Sequence, residues 1–320
     1  MTKPILHKDR QELLADIAEM YFIQGKNQAE ISDVVGVTRS NISRMLSEAR
    51  QAGIVEISIN RPIKEDKAVA QKFLDRFGLL NARVVQVEQK SERLETLGRI
   101  AAHELVQYLQ PGSTLGSSWG TAINATVEKI ILENPIPQLR VTQLLGAFGA
   151  RIKEYDGHAI VRRLEEKLDA EGIYINAPFL VENKKIAASL MENQSISESL
   201  DISKQADIAL LGVGSSEPEF CSYYLANYVS YDEIVSIQKA GAIGDVCGRF
   251  YSMQGKNVAV NFQERLIGIS REDLQKIPIR IGVAGGPEKV KPIIGALRAG
   301  LINILVSDSA TIYEVLNQGQ

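Results

Sequence analysis

From residue 82 onward, short apolar runs alternate with amphipathic stretches, and this alternation limits the fold more than any other feature of the chain. ARVVQV, STLGSSWG, RVTQLLGA, GIYINAPF, ADIALLGVG, PIRIGVAGG and LINILVSD are each short, rich in β-forming residues or closed by glycine. Helical segments 92–109, 121–132, 158–169 and 288–299 fall between several of them. Strands buried on both faces read as continuous apolar runs, and joining them through helices demands parallel pairing. The expected class is therefore α/β, with a Rossmann-like, largely parallel sheet covered on both faces.

With 320 residues, the chain has room for a second folding unit. Residues 28–52 carry the apolar spacing of two short helices crossing at a tight turn, the helix-turn-helix arrangement that lays its second helix in a DNA major groove. Ile31, Val34 and Val35 share a face of the first helix, and Ile42, Met45 and Leu46 continue the stripe on the second. Gly36 supplies the left-handed backbone that the turn requires. Thr38 is the N-cap of the second helix, and Arg39, Ser40, Asn41, Ser43 and Arg44 are left facing outward at its N-terminal end. Those side chains suit phosphates and base edges, so they and Thr38 form the candidate DNA-contacting set. A helical hairpin packed on another element is the structural alternative, but a packing helix rarely exposes this set with no acidic residue before Glu48. The segment is not a polycation, so affinity must come from the placement of a few cations, multiplied by a dimer or tetramer.

An amphipathic helix over 10–23 supports the pair, Gly53 ends the second helix, and IVEISI at 54–59 alternates like a small strand before Arg61 and Pro62. Residues 64–77 read as a linker helix with a stripe through Val69, Phe73 and Phe77, serving either subunit contact or plain packing at the edge of the next domain. The expected organisation is a DNA-binding domain at 1–60, a linker helix at 61–80 and an effector domain at 81–320.

Ligands of such sheets gather at the carboxyl ends of strands. Four loops fit. LGSSWGTA places Gly116, Ser117, Ser118, Trp119, Gly120 and Thr121 where a strand runs into a helix, a ready phosphate site. GAFGAR offers Gly146, Gly149 and Arg151, the arginine able to pair with an anion. GDVCGRF offers Asp245 to accept bonds from sugar hydroxyls, and AGGPEK puts Lys289 in the first turn of a helix. Glycines at strand ends also serve plain tight turns, yet four such loops with hydroxyls, cations and a carboxylate point to a phosphorylated or polyhydroxyl small molecule.

The helix-turn-helix, LGSSWGTA, AIGDVCGRF, ERLIGIS followed by EDLQKIP, and VAGGPEKVKPIIGALRAGLINILVSD together resemble the SorC family of bacterial sugar-responsive transcriptional regulators, over nearly the whole chain. The resemblance implies an effector domain similar to sugar-phosphate isomerases and deaminases, used for sensing. It also implies tetramers or dimers acting on operators of carbohydrate operons, with a sugar or phosphosugar inducer. By resemblance, the phosphate loop falls on Ser117 to Thr121, and the sugar-side acid and lysine on Asp245 and Lys289. The loop departs from the Trp-Gly-Arg-Thr-like form of many relatives, because Thr121 follows Gly120; Arg151 and Arg249 are the candidate substitutes. Some relatives attach the inducer through a lysine Schiff base, for which Lys153 and Lys289 are the candidates.

An enzyme is the rival expectation: a phosphosugar isomerase or deaminase with Asp245 as general base and His158 or Lys289 as partner. A nucleotide-cofactor redox sensor is disfavoured because no GxGxxG opens a helix after the run at 82–87. Two cysteines without metal-ligand spacing and three scattered histidines point away from a disulfide framework, a metal site or any cofactor. No run is long enough to cross a bilayer and MTKPILHKDRQE has no apolar signal core, so a cytoplasmic protein is expected.

Overall fold

All seven apolar runs pair as parallel strands of a single sheet. The computed structural model describes residues 9–55, 62–148 and 155–319. Its strands are β1 (Asn81–Val85), β2 (Thr114–Ser117), β3 (Arg140–Gln143), β4 (Glu171–Ile173), β5 (Ile208–Gly212), β6 (Gly214–Ser215), β7 (Gly244–Val246), β8 (Arg249–Tyr251), β9 (Ile279–Val283) and β10 (Ile304–Asp308). The large sheet has seven strands in the order β1-β10-β9-β5-β2-β3-β4, every pair parallel.

Side-chain parity sorts the core onto the two faces of that sheet. Along β5, Leu210 joins one buried cluster with Leu97, Ile123 and Leu164, whereas its neighbours Ala209 and Leu211 join the other with Phe73, Ile293 and Ile312. The first cluster is covered by helices Arg93–Val106, Thr121–Glu128 and Gly157–Leu168, the second by Lys67–Phe77, Val290–Arg298 and Ser309–Gln318. Such two-sided cover forces every strand connection in the sheet to cross over through a helix or a longer excursion.

The chain forms two compact units, Met1–Pro62 and Ile63–Gln320. Within the first unit, helices Arg10–Phe22, Gln28–Val35 and Arg39–Gln51 enclose a small core of Leu14, Ile17, Ile31, Ile42, Met45 and Leu46. Asn27 starts the middle helix with a full capping box: its side chain accepts from Ala29 and Glu30 N–H, and Glu30 returns a bond to the Asn27 N–H at 2.8 Å. Gly36 takes φ 78°, and Thr38 caps the third helix by accepting from Asn41 N–H at 3.3 Å. Val34 departs from the expected stripe. It is 52% exposed, because a helix of this length closes its seam with Ile31 and Val35 alone. Of the expected strand at 54–59, Ile54 and Val55 pack on this core, and 56–59 lie outside the described residues.

Two further expectations are redrawn. The helix read at 64–77 spans Lys67–Phe77, capped by Asp66, with Val69 and Phe73 fully in the core of the second unit. Residues just before it run beside β1 instead: Asp66 N–H bonds Val84 at 2.7 Å and Gln86 N–H bonds Lys64 at 2.8 Å. GDVCGRF is not a strand-end loop of the main sheet. It folds as a hairpin of β7 and β8 in a separate antiparallel sheet with β6, turning at Cys247 and Gly248, both at positive φ. Among the described residues no helix is long and apolar enough to cross a membrane.

Candidate functional site

The carboxyl ends of β2, β5 and β9 and the small antiparallel sheet surround a cavity of about 290 Å³, near the lower end of the range for small-molecule sites. Strand order places it where one would look in an open parallel sheet, since β5 is flanked by β9 and by β2, whose helices leave in different directions along the sheet. Ser118, Trp119, Gly120 and Thr121 line it from the end of β2, Lys289 from the end of β9, and Asp245 from the hairpin. Six of the expected effector residues therefore meet in one space, although they come from three separate parts of the chain.

Other expected residues lie elsewhere. Gly116 and Ser117 belong to β2 itself and do not line the cavity; a Cβ on Gly116 would stand 2.4 Å from Leu144 Cδ2. Gly146 also stays away, held where its backbone meets the 177–178 segment: a Cβ there would lie 2.7 Å from the Ala177 carbonyl oxygen. Gly149, Arg151 and Lys153 lie outside the described residues. The second substitute arginine, Arg249, is buried and donates to the carbonyls of Gln263, Gly268 and Ile269, a structural tether that does not itself line the cavity. His158 does not line the cavity either, so the Asp245–His158 pairing of the enzymatic reading is not assembled.

Asp245 is almost completely enclosed. Its Oδ2 accepts from Tyr223 hydroxyl and from Gly248 N–H at 2.9 Å. Burial pushes its carboxyl above the ordinary range, outweighing the bonds from Tyr223 and Gly248 and the nearby Lys289 amine. Burial likewise pulls the Lys289 amine below its usual value, opposed by Asp245 and Glu288. A carboxyl and an amine held in this way present an acceptor and a donor to a polyhydroxyl ligand in a place largely shielded from water. One wall is aromatic: Trp119 packs against Phe148 at 3.9 Å between ring centroids and edge-on to Tyr223 at 5.5 Å. The two cysteines are free and buried, with burial raising the Cys221 thiol to about 11, and no cluster of metal-ligating side chains occurs among the described residues.

Lys90, Arg93 and Tyr223 also line the cavity, none of them singled out in the sequence. Lys90 and Arg93 follow the carboxyl end of β1, so the strand-end rule covers them. Their loop has no glycine to attract notice. Tyr223 reaches Asp245 across 22 residues of sequence, with no local signal.

On the first unit, Thr38, Arg39, Ser40, Ser43 and Arg44 are exposed along the start of the third helix, and Asn41 is partly exposed. Arg44 Nη2 donates to Asn41 Oδ1 at 3.1 Å, which fixes both on one edge. Glu48, the first acidic residue of that face, is engaged by Arg10, leaving the N-terminal end free of negative charge.

Comparison with known proteins covers both units. Residues 61–317 match the family model described as "Putative sugar-binding domain". The chain is 30% identical over 308 residues to the sorbitol operon regulator of Klebsiella pneumoniae, covering 95% of this chain and 98% of that one. It is also 30% identical over 308 residues to the transcriptional regulator LsrR of Escherichia coli K12, covering 96% and 95%. The crystal structure of the full-length Klebsiella regulator superposes with a TM-score of 0.73, covering 97% of this chain and 100% of that one. A solved sor operon regulator from Shigella flexneri, described as probable, matches 78% of this chain and 99% of its own at 29% identity, with a TM-score of 0.73. With the sensing domain matched over most of its length and full-length regulators aligned from end to end, this chain belongs to the SorC family of sugar-responsive bacterial transcriptional regulators.

Proposed function

We propose that the protein controls a carbohydrate operon by binding operator DNA through Thr38, Arg39, Ser40, Asn41, Ser43 and Arg44, and that a sugar or sugar phosphate in the β2–β5–β9 cavity sets its affinity for that DNA. The observation that supports this most is the convergence of Ser118, Trp119, Gly120, Thr121, Asp245 and Lys289 on one cavity. Acting as a dimer or tetramer in the cytoplasm, the protein would present paired third helices to half-sites about one helical turn, or a multiple, apart. A coupling of about 1–3 kcal/mol between cavity and operator changes DNA affinity roughly 5- to 150-fold. In this reading the cavity senses and does not turn over its ligand.

The test is a thermal-shift screen of the full-length protein against free sugars and their mono- and bisphosphates, followed by DNA titration with the best ligand. A ligand at 100 times its Kd adds about 2.7 kcal/mol to native stability. Asp245→Asn should abolish the shift while leaving DNA affinity intact in the absence of ligand. A ligand whose shift survives in that variant would place the effector site elsewhere. Consumption of the ligand would replace the sensor with an enzyme.

A further inference from the structure

The seven-stranded sheet ends at β1, and an end strand leaves one row of main-chain donors and acceptors without a neighbour. Residues 63–66 cover the carboxyl end of that row. The chain enters the second unit at Ile63 and runs antiparallel to β1, with Glu65 opposite Val85. Asp66 N–H donates to the Val84 carbonyl at 2.7 Å and Gln86 N–H to the Lys64 carbonyl at 2.8 Å. Side chains reinforce the pairing. Arg83 grips the Glu65 carboxylate with two bonds of 2.7 Å, and Ile63 packs, partly buried, against the core under this face of the sheet.

This segment can leave without unfolding what surrounds it. Helix Lys67–Phe77 is anchored separately by Val69 and Phe73 in the core, and Asp66 Oδ1 caps it by accepting from Val69 N–H at 3.1 Å, so lifting stops at Asp66. Arg83 keeps a partner, because its Nη1 donates at 2.9 Å to Glu104, the carboxylate shut off from water. Two main-chain bonds, a partly solvated ion pair and one half-buried isoleucine hold the segment down, the kind of element that opens well before the rest of a domain. Val85 also joins it to the cavity. On its other edge Val85 stands in register with Asp308, whose Oδ2 lies 3.2 Å from Arg93 Nε, and Arg93 lines the cavity with Lys90. A displacement of that wall therefore reaches Glu65 through two residues, Asp308 and Val85.

We propose that residues 63–66 are a releasable strap, seated on β1 in one state and lifted as far as Asp66 in the other, and that the cavity and the DNA-binding unit act on this one equilibrium. Pro62 ends the first unit, so lifting moves the fixed end of the connection from Ile63 to Asp66 and lengthens its reach by up to about 10 Å. Paired DNA readers are sensitive to such a change, because simultaneous contact with two half-sites depends on the reach of the connection. The strap rests on the reading of the protein as a ligand-controlled DNA binder and supplies the regulation of that site.

The test uses the full-length protein and a duplex selected from a random library. Lys64 and Gln86 are exposed and opposite each other across the ladder, where antiparallel Cα separations of about 5.5 Å permit a disulfide. Lys64→Cys with Gln86→Cys, once oxidised, locks the strap down, and its reduced form is the control. Ile63→Ser with Glu65→Ala removes both side-chain anchors and loosens it. The locked and loosened proteins should differ about 5- to 150-fold in affinity for the duplex. In the unsubstituted protein, the Asp66 and Gln86 amides should exchange with deuterium at rates that change when the duplex binds, while those of β5 do not change. Exchange across residues 88–96, which carry Lys90 and Arg93, should differ between the locked and loosened proteins without DNA. Equal duplex affinities, Asp66 and Gln86 exchange indifferent to DNA, or 88–96 exchange indifferent to the strap each overturn the proposal. The two readings fail separately. A protein that binds its duplex equally well locked and loosened refutes the strap and leaves the DNA-binding reading standing. One that binds no duplex refutes that reading, and the comparison across 88–96 still decides whether strap and cavity are joined.

Discussion

Replacing Arg83 with methionine should strand a carboxylate that has no access to water. Arg83 grips Glu65 with two bonds of 2.7 Å and donates to Glu104 Oε2 at 2.9 Å. The Glu104 side chain is 0% exposed, and its remaining bonds, from Asn81 at 2.6 Å and Tyr108 at 3.1 Å, both go to the other oxygen. Removing one partner of a buried ion pair leaves an uncompensated charge and costs about 3–5 kcal/mol. Glu65→Gln, on the wetter side of the same arginine at 27% exposure, should cost about 1 kcal/mol or less. Urea unfolding followed by the fluorescence of Trp119, the single tryptophan, reports on the effector unit alone. The Arg83 guanidinium holds the Glu65 carboxyl below the ordinary range, so the Glu65 contribution is complete above its unfolded pKa of about 4.3 and is lost as pH falls through the lower folded value. A deficit in Arg83→Met that is under about 1 kcal/mol at pH 7, or no larger than that of Glu65→Gln, would refute the buried-charge argument.

Two further outcomes concern the DNA-binding unit. Arg44→Ala should weaken binding to duplexes selected from a random library without altering the helical circular dichroism, since Arg44 is exposed and bonds only Asn41 among the described residues; unchanged affinity in an electrophoretic shift would remove it from the interface. Asn27→Ala deletes two bonds to the start of the middle helix and should destabilise the first unit by about 0.5–2 kcal/mol in thermal unfolding, with no change in the Trp119 signal.

The large sheet was legible because parity and burial act locally. A run such as ADIALLGVG can be read as a doubly covered strand without knowing its neighbours, and Leu210 and Leu211 do go to opposite clusters. The β7–β8 hairpin was not legible. A two-residue turn with positive φ is signalled by Asn-Gly or Asp-Gly, and here Cys247 occupies the first position instead. Site residues divided in the same way. Ser118 to Thr121 and Lys289 follow from strand ends, whereas Gly146 offered the same glycine signal and serves a close backbone approach to Ala177 and Pro178.

Strand β1 hydrogen-bonds in register with β10, Asn81 opposite Ile304 through Val85 opposite Asp308. A chain being synthesised from its N-terminus thus exposes β1 early and cannot seat it until more than 200 further residues have emerged. The three helices before residue 55 close a core among themselves, with Arg10 meeting Glu48 only 38 residues on, and have no such wait. A stop codon or nick shortly before residue 304 would remove the strand that joins β1 to the rest of the sheet. The product would be a helical DNA reader with no finished sensor behind it, so strand β10, more than 250 residues beyond the third helix, decides whether a regulator or an ungoverned fragment leaves the ribosome.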